Sequence, residues 1–223
     1  MDERKGKPSP GSPESAVPRA VVSRLSLYLR ELQHLVNDGN ATTNSTQLGT
    51  LLGFTDAQVR KDLANFGQFG YPGVGYRCEE LIAAIKKILG TDRFWPVAMV
   101  GLGNLGRALL RYRGFGEQGF RIAATFDVDA EKIGNTVEGV EVFPLDRLAE
   151  VVAAKGIRLA IVAVPAASAQ AVADSLVAAG VEGVLNFAPV TLALPERVSR
   201  VGVDLAIELE QLSFAVVNRP ENP

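Results

Sequence analysis

The run Gly101-Leu-Gly-Asn-Leu-Gly106 directly follows an apolar stretch, Val97-Ala-Met-Val100, and opens what reads as a helix. That order constrains the fold more than any other feature of the chain. The first glycine permits a tight turn, the second lets backbone approach a pyrophosphate, and the third lets helix pack on strand. Phosphates would rest on the helix N-terminus, where unpaired amides and the helix dipole favour an anion. Asp127 closes a second apolar run 21 residues after Gly106. A carboxylate there accepts hydrogen bonds from a ribose diol and repels a 2'-phosphate, favouring NAD(H) over NADP(H). A ligand-free, tightly packed strand-turn-helix is the plainer alternative.

After Trp95-Pro96 the pattern is that of alternating strands and helices. It predicts strands over 97–101, 121–126, 140–143, 159–164 and 183–187, with crossover helices over 108–111, 145–154 and 166–179. Near-continuous apolar runs such as Leu159-Ala-Ile-Val-Ala-Val164 suit strands buried on both faces, so the expected fold is α/β, a Rossmann-like doubly wound parallel sheet spanning residues 91–204. Residues 205–223 hold a final helix with apolar stripes on opposite sides. Leu205, Leu209, Leu212 and Val216 form one and Ile207 and Phe214 the other, and a single surface cannot bury both. This helix either inserts between surfaces, as an exchanged terminal helix does in a twofold dimer, or is buried within its own sheet layer.

The N-terminal half has a different grammar. Residues 1–17 are Pro, Gly, Ser and charge, a composition that predicts a disordered tail. Within a domain expected over 18–90, Val22, Leu25, Leu29, Leu32 and Val36 trace one face of a helix. A short helix follows over 45–52, with Ser45 as cap and Leu48, Leu51 and Leu52 inward. Thr55-Asp-Ala-Gln58 has the form of a capping box that starts a third helix reaching Phe66. The glycine-rich segment 67–76 predicts a small hairpin, a wing, and a fourth helix over 79–89 closes the domain. The second and third helices have helix-turn-helix proportions. Val59, Leu63 and Phe66 point inward, leaving Gln58, Lys61 and Asn65 outward with Arg60 at their flank. Those side chains can offer donors to base edges and phosphates, although a solvated polar face would look the same.

Charge does little to decide between these. The chain carries a net −2, but residues 1–90 hold 11 basic and 9 acidic side chains and residues 91–223 hold 12 and 16. The basic surplus is slight, so only its placement argues for phosphate contact. One cysteine, Cys78, excludes disulfide scaffolds and cysteine zinc clusters. No apolar run nears the ~18 residues that span a bilayer, and the first residues show no hydrophobic leader, so the expected location is the cytoplasm and no membrane partner is expected. An enzyme is expected only as the second reading, a small NAD-dependent oxidoreductase with a helical dimerisation domain. The sheet consumes residues 96–223, the sole histidine is His34, and none of Tyr28, Tyr71, Tyr76 or Tyr112 has a lysine four residues later. A CoA- or nucleotide-binding module is a third reading.

The combination resembles the Rex family of bacterial redox-sensing transcriptional repressors. Gln58-Val-Arg-Lys-Asp-Leu63, Phe66-Gly67 and Gly73-Val-Gly-Tyr76 match its recognition helix and wing. Gly101-Leu-Gly-Asn-Leu-Gly106, Phe126-Asp-Val-Asp129 and Leu185-Asn-Phe-Ala-Pro189 match its cofactor domain. The resemblance implies a homodimer with a winged-helix domain, an NADH- and NAD+-binding Rossmann domain and an exchanged C-terminal helix. It implies repression from palindromic double-stranded operator DNA of respiratory and fermentative genes, with release when NADH rises. It places Gly101, Leu102, Gly103, Asn104, Leu105 and Gly106 at the pyrophosphate, Asp127 and Val128 at the ribose, and Val164, Pro165, Ala188 and Pro189 at the nicotinamide end. It assigns DNA contact to Ser45, Gln58, Arg60, Lys61, Asn65, Gly73 and Tyr76, and a polar switch to Arg30, Tyr112 and Asp204. Leu205 follows that aspartate in place of an aromatic residue.

Overall fold

A computed structural model describes residues 17–219, and the tail expected over 1–17 therefore lies, but for Val17, outside the described residues. The chain divides at the Asp92–Arg93 bond into two compact units.

The first unit is built on helices. α1 (Arg19–Asn37) and α4 (Cys78–Leu89) flank the pair α2 (Ser45–Leu52) and α3 (Asp56–Ala64). Leu25, Tyr28, Leu29 and Leu32 of α1, Leu48, Val59, Leu63 and Ile85 form one core. The face of α1 passes through Val21 and Leu35, not Val22, which is exposed. Leu51 is exposed too, so α2 contributes a narrower face than expected. The cap of α2 is Asn44 and not Ser45: the Asn44 side-chain oxygen accepts the Gln47 N–H at 2.9 Å. Thr55 caps α3 by accepting the Gln58 N–H at 3.1 Å. The reciprocal half of the capping box is absent, because the Gln58 amide donates to Asp62 instead.

The wing departs from a simple hairpin. A single bridge, Tyr71 to Gly75, closes the tight turn. β2 (Tyr76–Arg77) then pairs antiparallel with β1 (Thr42–Thr43), the segment leading into α2. Gly75, at φ +88°, lies so close to the Thr43 carbonyl that a Cβ would overlap it. Gly75 thus serves a close crossing of two distant segments as well as the local turn.

The second unit is a seven-stranded sheet. Its elements in chain order are β3 (Trp95–Val100), α5 (Asn104–Arg111), α6 (Gly114–Glu117), β4 (Phe120–Asp127), β5 (Thr136–Val137), β6 (Val140–Pro144), α7 (Leu148–Ala154), β7 (Leu159–Val162), α8 (Ala166–Ala178), β8 (Gly183–Asn186), β9 (Ser199–Gly202) and α9 (Leu205–Val217). The strand order is β5-β6-β4-β3-β7-β8-β9, parallel throughout except for β5 on its edge. Setting β5 aside, this is the doubly wound dinucleotide order, and β3 and β7 flank its switch point. Alternation along β3 sends Ala98 and Val100 into one core layer with Val151, Val172 and Leu176 of α7 and α8, and Val97 and Met99 into another. Pro96 is tolerated in this central strand because β7 pairs with it only from Val97 onward. β5 and β9 escape sequence patterning: the first is two residues long and the second is exposed throughout.

α9 runs over the predicted residues, opened by the Asp204 carboxylate, which accepts the Ala206 N–H at 2.9 Å. It is not buried in its own sheet layer. Its large apolar side chains, Leu205, Ile207, Leu209, Leu212, Phe214, Val216 and Val217, are 49–79 % exposed. Among the described residues no helix is long and apolar enough to cross a membrane.

Candidate functional site

The turn from β3 into α5 sits at the switch point, and its three glycines do different work. Gly101 has φ +97°, and a Cβ on it would lie 2.5 Å from the Ala163 carbonyl oxygen beyond β7. At Gly106 a Cβ would overlap the Gly101 carbonyl, so only glycine lets α5 seat on its strand. Gly103 faces open space, with nothing within 4 Å of where a Cβ would be. It is also the N-cap of α5 and supplies no capping side chain. The opening turn of α5 therefore faces a space that a side chain would fill and a pyrophosphate can enter.

Asp127 ends β4 beside this turn and is 8 % exposed. Its Oδ2 accepts the Leu102 N–H at 2.8 Å and its Oδ1 the Asp129 N–H at 2.9 Å. Lys132 Nζ lies 3.3 Å from Asp127 Oδ2 and 3.1 Å from Asp129 Oδ2. Burial pushes the Asp127 carboxyl upward, but the two amides and the Lys132 ammonium outweigh it and hold the group below the usual carboxylate range. The result is an ionised acceptor at the position expected of a ribose ligand.

A cavity of about 260 Å³ joins these parts; Gly101, Leu102, Gly103, Asp127, Val128, Val164 and Pro165 line it, with Lys132, Leu145, Ser168 and Val172 among its other walls. Leu145, Ser168 and Val172 carried no sequence signal for this site, while Lys132 could have been found as the cation five residues past Asp127. Asn104 and Leu105 lie exposed in the first turn of α5. The structure does not bring Ala188 and Pro189 to this cavity. Ala188 is buried in the core, because Asn186 folds the segment back: its Oδ1 accepts the Ala188 N–H and its Nδ2 donates to the carbonyls of Ala188 and Val190.

In the first unit, Lys61 is exposed on α3 and Asn65 at its C-cap, and Gln58 is half-buried. Arg60 Nη1 donates to Asp56 Oδ2 at 2.7 Å and to Ser45 Oγ at 3.1 Å, so α2 and α3 present Ser45 and Arg60 together. Gly73, at φ +75°, lies in the wing turn. The Tyr76 ring packs into the core at 8 % exposure, held there by the β1–β2 pairing. Arg77 is occupied by Glu80 at 3.0 Å and lies over the Tyr71 ring.

The sequence reading missed Asp62, a carboxylate 1 % exposed on α3. It accepts from Arg24 Nε and Nη2, from the Tyr28 hydroxyl at 2.8 Å and from the Gln58 amide at 2.7 Å. Desolvation pushes this carboxyl upward, and its Arg24, Tyr28 and Gln58 donors bring it below the ordinary value. The signal was phase: Asp62 lies three residues after Val59, on the face of α3 that is buried. Of the remaining three residues, Arg30 is exposed on α1, Tyr112 packs edge-on against Phe115 at 5.1 Å, and Asp204 caps α9.

A dinucleotide-fold sheet joined to a helix-turn-helix unit defines a class, the transcription regulator that carries its own ligand domain. Residues 92–190 match the "CoA binding domain" family model and residues 16–64 the model described as "Putative DNA-binding protein N-terminus". The redox-sensing transcriptional repressor Rex of Desulfitobacterium hafniense is 49 % identical over 203 residues, covering 91 % of this chain and 97 % of that one. The Rex of Carboxydothermus hydrogenoformans is 50 % identical over 200 residues, covering 90 % and 96 %. The crystal structure of RSP with β-NAD+ and operator DNA matches with a TM-score of 0.86 at 35 % identity, covering 91 % and 94 %. RSP with β-NADH matches at 0.82 and 33 %, covering 91 % and 95 %. The chain belongs to the Rex family: it is a redox-sensing transcriptional repressor and not an enzyme.

Proposed function

We propose that this repressor binds NADH and NAD+ at the β3–α5 turn, binds palindromic operator DNA through α3 as a homodimer, and leaves the operator when NADH binds. The observation that carries the ligand reading is the open space at Gly103 beside the ionised Asp127. Gly101, Leu102, Gly103 and the first turn of α5 would hold the pyrophosphate, Asp127 the ribose diol, and Val164 and Pro165 the nicotinamide end. The same carboxylate disfavours a phosphorylated ribose, which argues against CoA as the ligand despite the family model matched. RSP, solved with β-NAD+ and operator DNA and with β-NADH, supports both ligands.

On the DNA side, Ser45, Gln58, Arg60, Lys61, Asn65 and Gly73 are the contacting set, within a domain over 18–90. Residues 91–204 form the ligand domain, and α9 supplies the dimer contact. Arg30, Tyr112 and Asp204 form the polar switch. The regulated genes are those of respiratory and fermentative metabolism, and the protein works in the cytoplasm.

NAD+ and NADH share both phosphates, so affinity at the glycine turn cannot separate them. A ligand shifts a conformational equilibrium only by its differential binding, about 1.4 kcal/mol for each tenfold. The discriminating contacts must lie at the nicotinamide end. Titrating a protein–operator complex with NADH and with NAD+ in a gel-shift assay tests this. NADH should release the duplex, and by linkage operator should weaken NADH binding by the same factor. Equal retention of the duplex with either cofactor would overturn the reading.

A further inference from the structure

A buried carboxylate directly beneath a DNA-reading face needs a reason, and Asp62 has one in its partners. Oδ1 accepts from Arg24 Nη2 at 2.8 Å and from Gln58 Nε2 at 2.7 Å, while Oδ2 accepts from Arg24 Nε and from the Tyr28 hydroxyl. An ionised carboxylate offers about four acceptor sites and no donor. All of them are taken. Arg24 and Tyr28 come from α1, so the carboxylate is fixed by a second helix and cannot follow Gln58 outward.

The consequence falls on the Gln58 amide. Because Asp62 can only accept, Gln58 must turn its NH2 inward, and its carbonyl oxygen then points away from the carboxylate. We propose that Asp62 is a positioning residue for DNA reading: it fixes which way round Gln58 meets the major groove, presenting Oε1 to a base-edge amino donor, adenine N6 or cytosine N4. This rests on the reading of α3 as the recognition helix. Without the anchor, the amide can turn over and present its NH2, which donates to the acceptor atoms on guanine or thymine edges instead.

The test is selection of binding sites from a randomised duplex pool by full-length wild type, Gln58→Ala and Asp62→Asn. Wild type should show an about tenfold preference for adenine or cytosine at one position of each half-site, and Gln58→Ala should lose it. Asp62→Asn should lose the preference at that same position, to within about twofold, while other positions keep theirs. Uniform weakening at all positions, with the preference kept, would mean a purely structural role and overturn the proposal. If Gln58→Ala keeps every preference, the base-reading role of Gln58 itself fails and takes the proposal with it. A variant-free measurement guards against misfolding. In wild-type protein without DNA, the Gln58 side-chain amide protons should exchange with water more slowly than those of exposed Gln68 in NMR spectra. Equal rates would show that the anchor does not exist.

Discussion

Single residues separate ligand binding from folding in this chain. Gly103 and Gly106 stand three positions apart in one turn, yet one faces open space and the other the Gly101 carbonyl. Gly103→Val should therefore abolish NADH binding in a fluorescence titration while leaving the melting temperature near wild type. Gly106→Ala should lower the melting temperature itself, since a backbone oxygen cannot give way as a side-chain tip can. Asp62 supports a second separation, by pH. Its folded carboxyl is held below the ordinary value by Arg24, Tyr28 and Gln58 against the opposing effect of burial. A depressed carboxyl contributes stability that is fully present above its unfolded pKa and is lost as pH falls through the folded one. Protonation would also place a donor where every neighbour already donates. The stability advantage of wild type over Asp62→Asn, measured by urea unfolding, should hold near neutrality and shrink over the window below about pH 4. A constant advantage across that window would remove Asp62 from the acid response.

At the level of elements, local chemistry sets where helices begin and distant pairing sets the rest. Thr55 accepts the Gln58 N–H at the start of α3, so Thr55→Ala should cost about 1 kcal/mol in chemical denaturation, with NADH affinity unchanged. The sequence made this cap readable, along with α9 and the β3-turn-α5 unit, because each is written in contiguous residues. The β1–β2 pair was not readable: Thr42–Thr43 and Tyr76–Arg77 carry no pattern of their own, and their meeting is a tertiary event. It is that event which draws the Tyr76 ring into the core. The same limit explains Ala188. The motif around it was visible, but Asn186 turning the backbone inward through its own side chain was not. Asp127 was legible because a strand end and a fixed spacing define it. Lys132, its partner, sits in an irregular loop, and only its place five residues past Asp127 pointed to it.

For the whole molecule, α9 is the element that the single chain leaves unexplained. Seven large apolar side chains on one helix remain 49–79 % exposed, the kind of exposed apolar surface that marks an interaction site. Its stripes lie on opposite sides, so a covering partner must reach both, and a second copy exchanging the same helix does so with one twofold contact. That symmetry also suits a palindromic operator, whose half-sites lie about 34 Å apart and demand two recognition helices held at fixed separation. On the function proposed above, coupling of each ligand site to DNA would pass through the dimer, by way of that separation. Replacing Leu209 and Phe214 together by glutamate puts a charge on each stripe. The variant should sediment as a monomer, and its affinity for a full palindromic duplex should fall towards that for a half-site. NADH binding at the β3–α5 turn should persist in the same sample, since none of its lining residues lies on α9. A doubly substituted protein that stays dimeric and holds the palindrome as wild type does would show that α9 is not what joins the two copies.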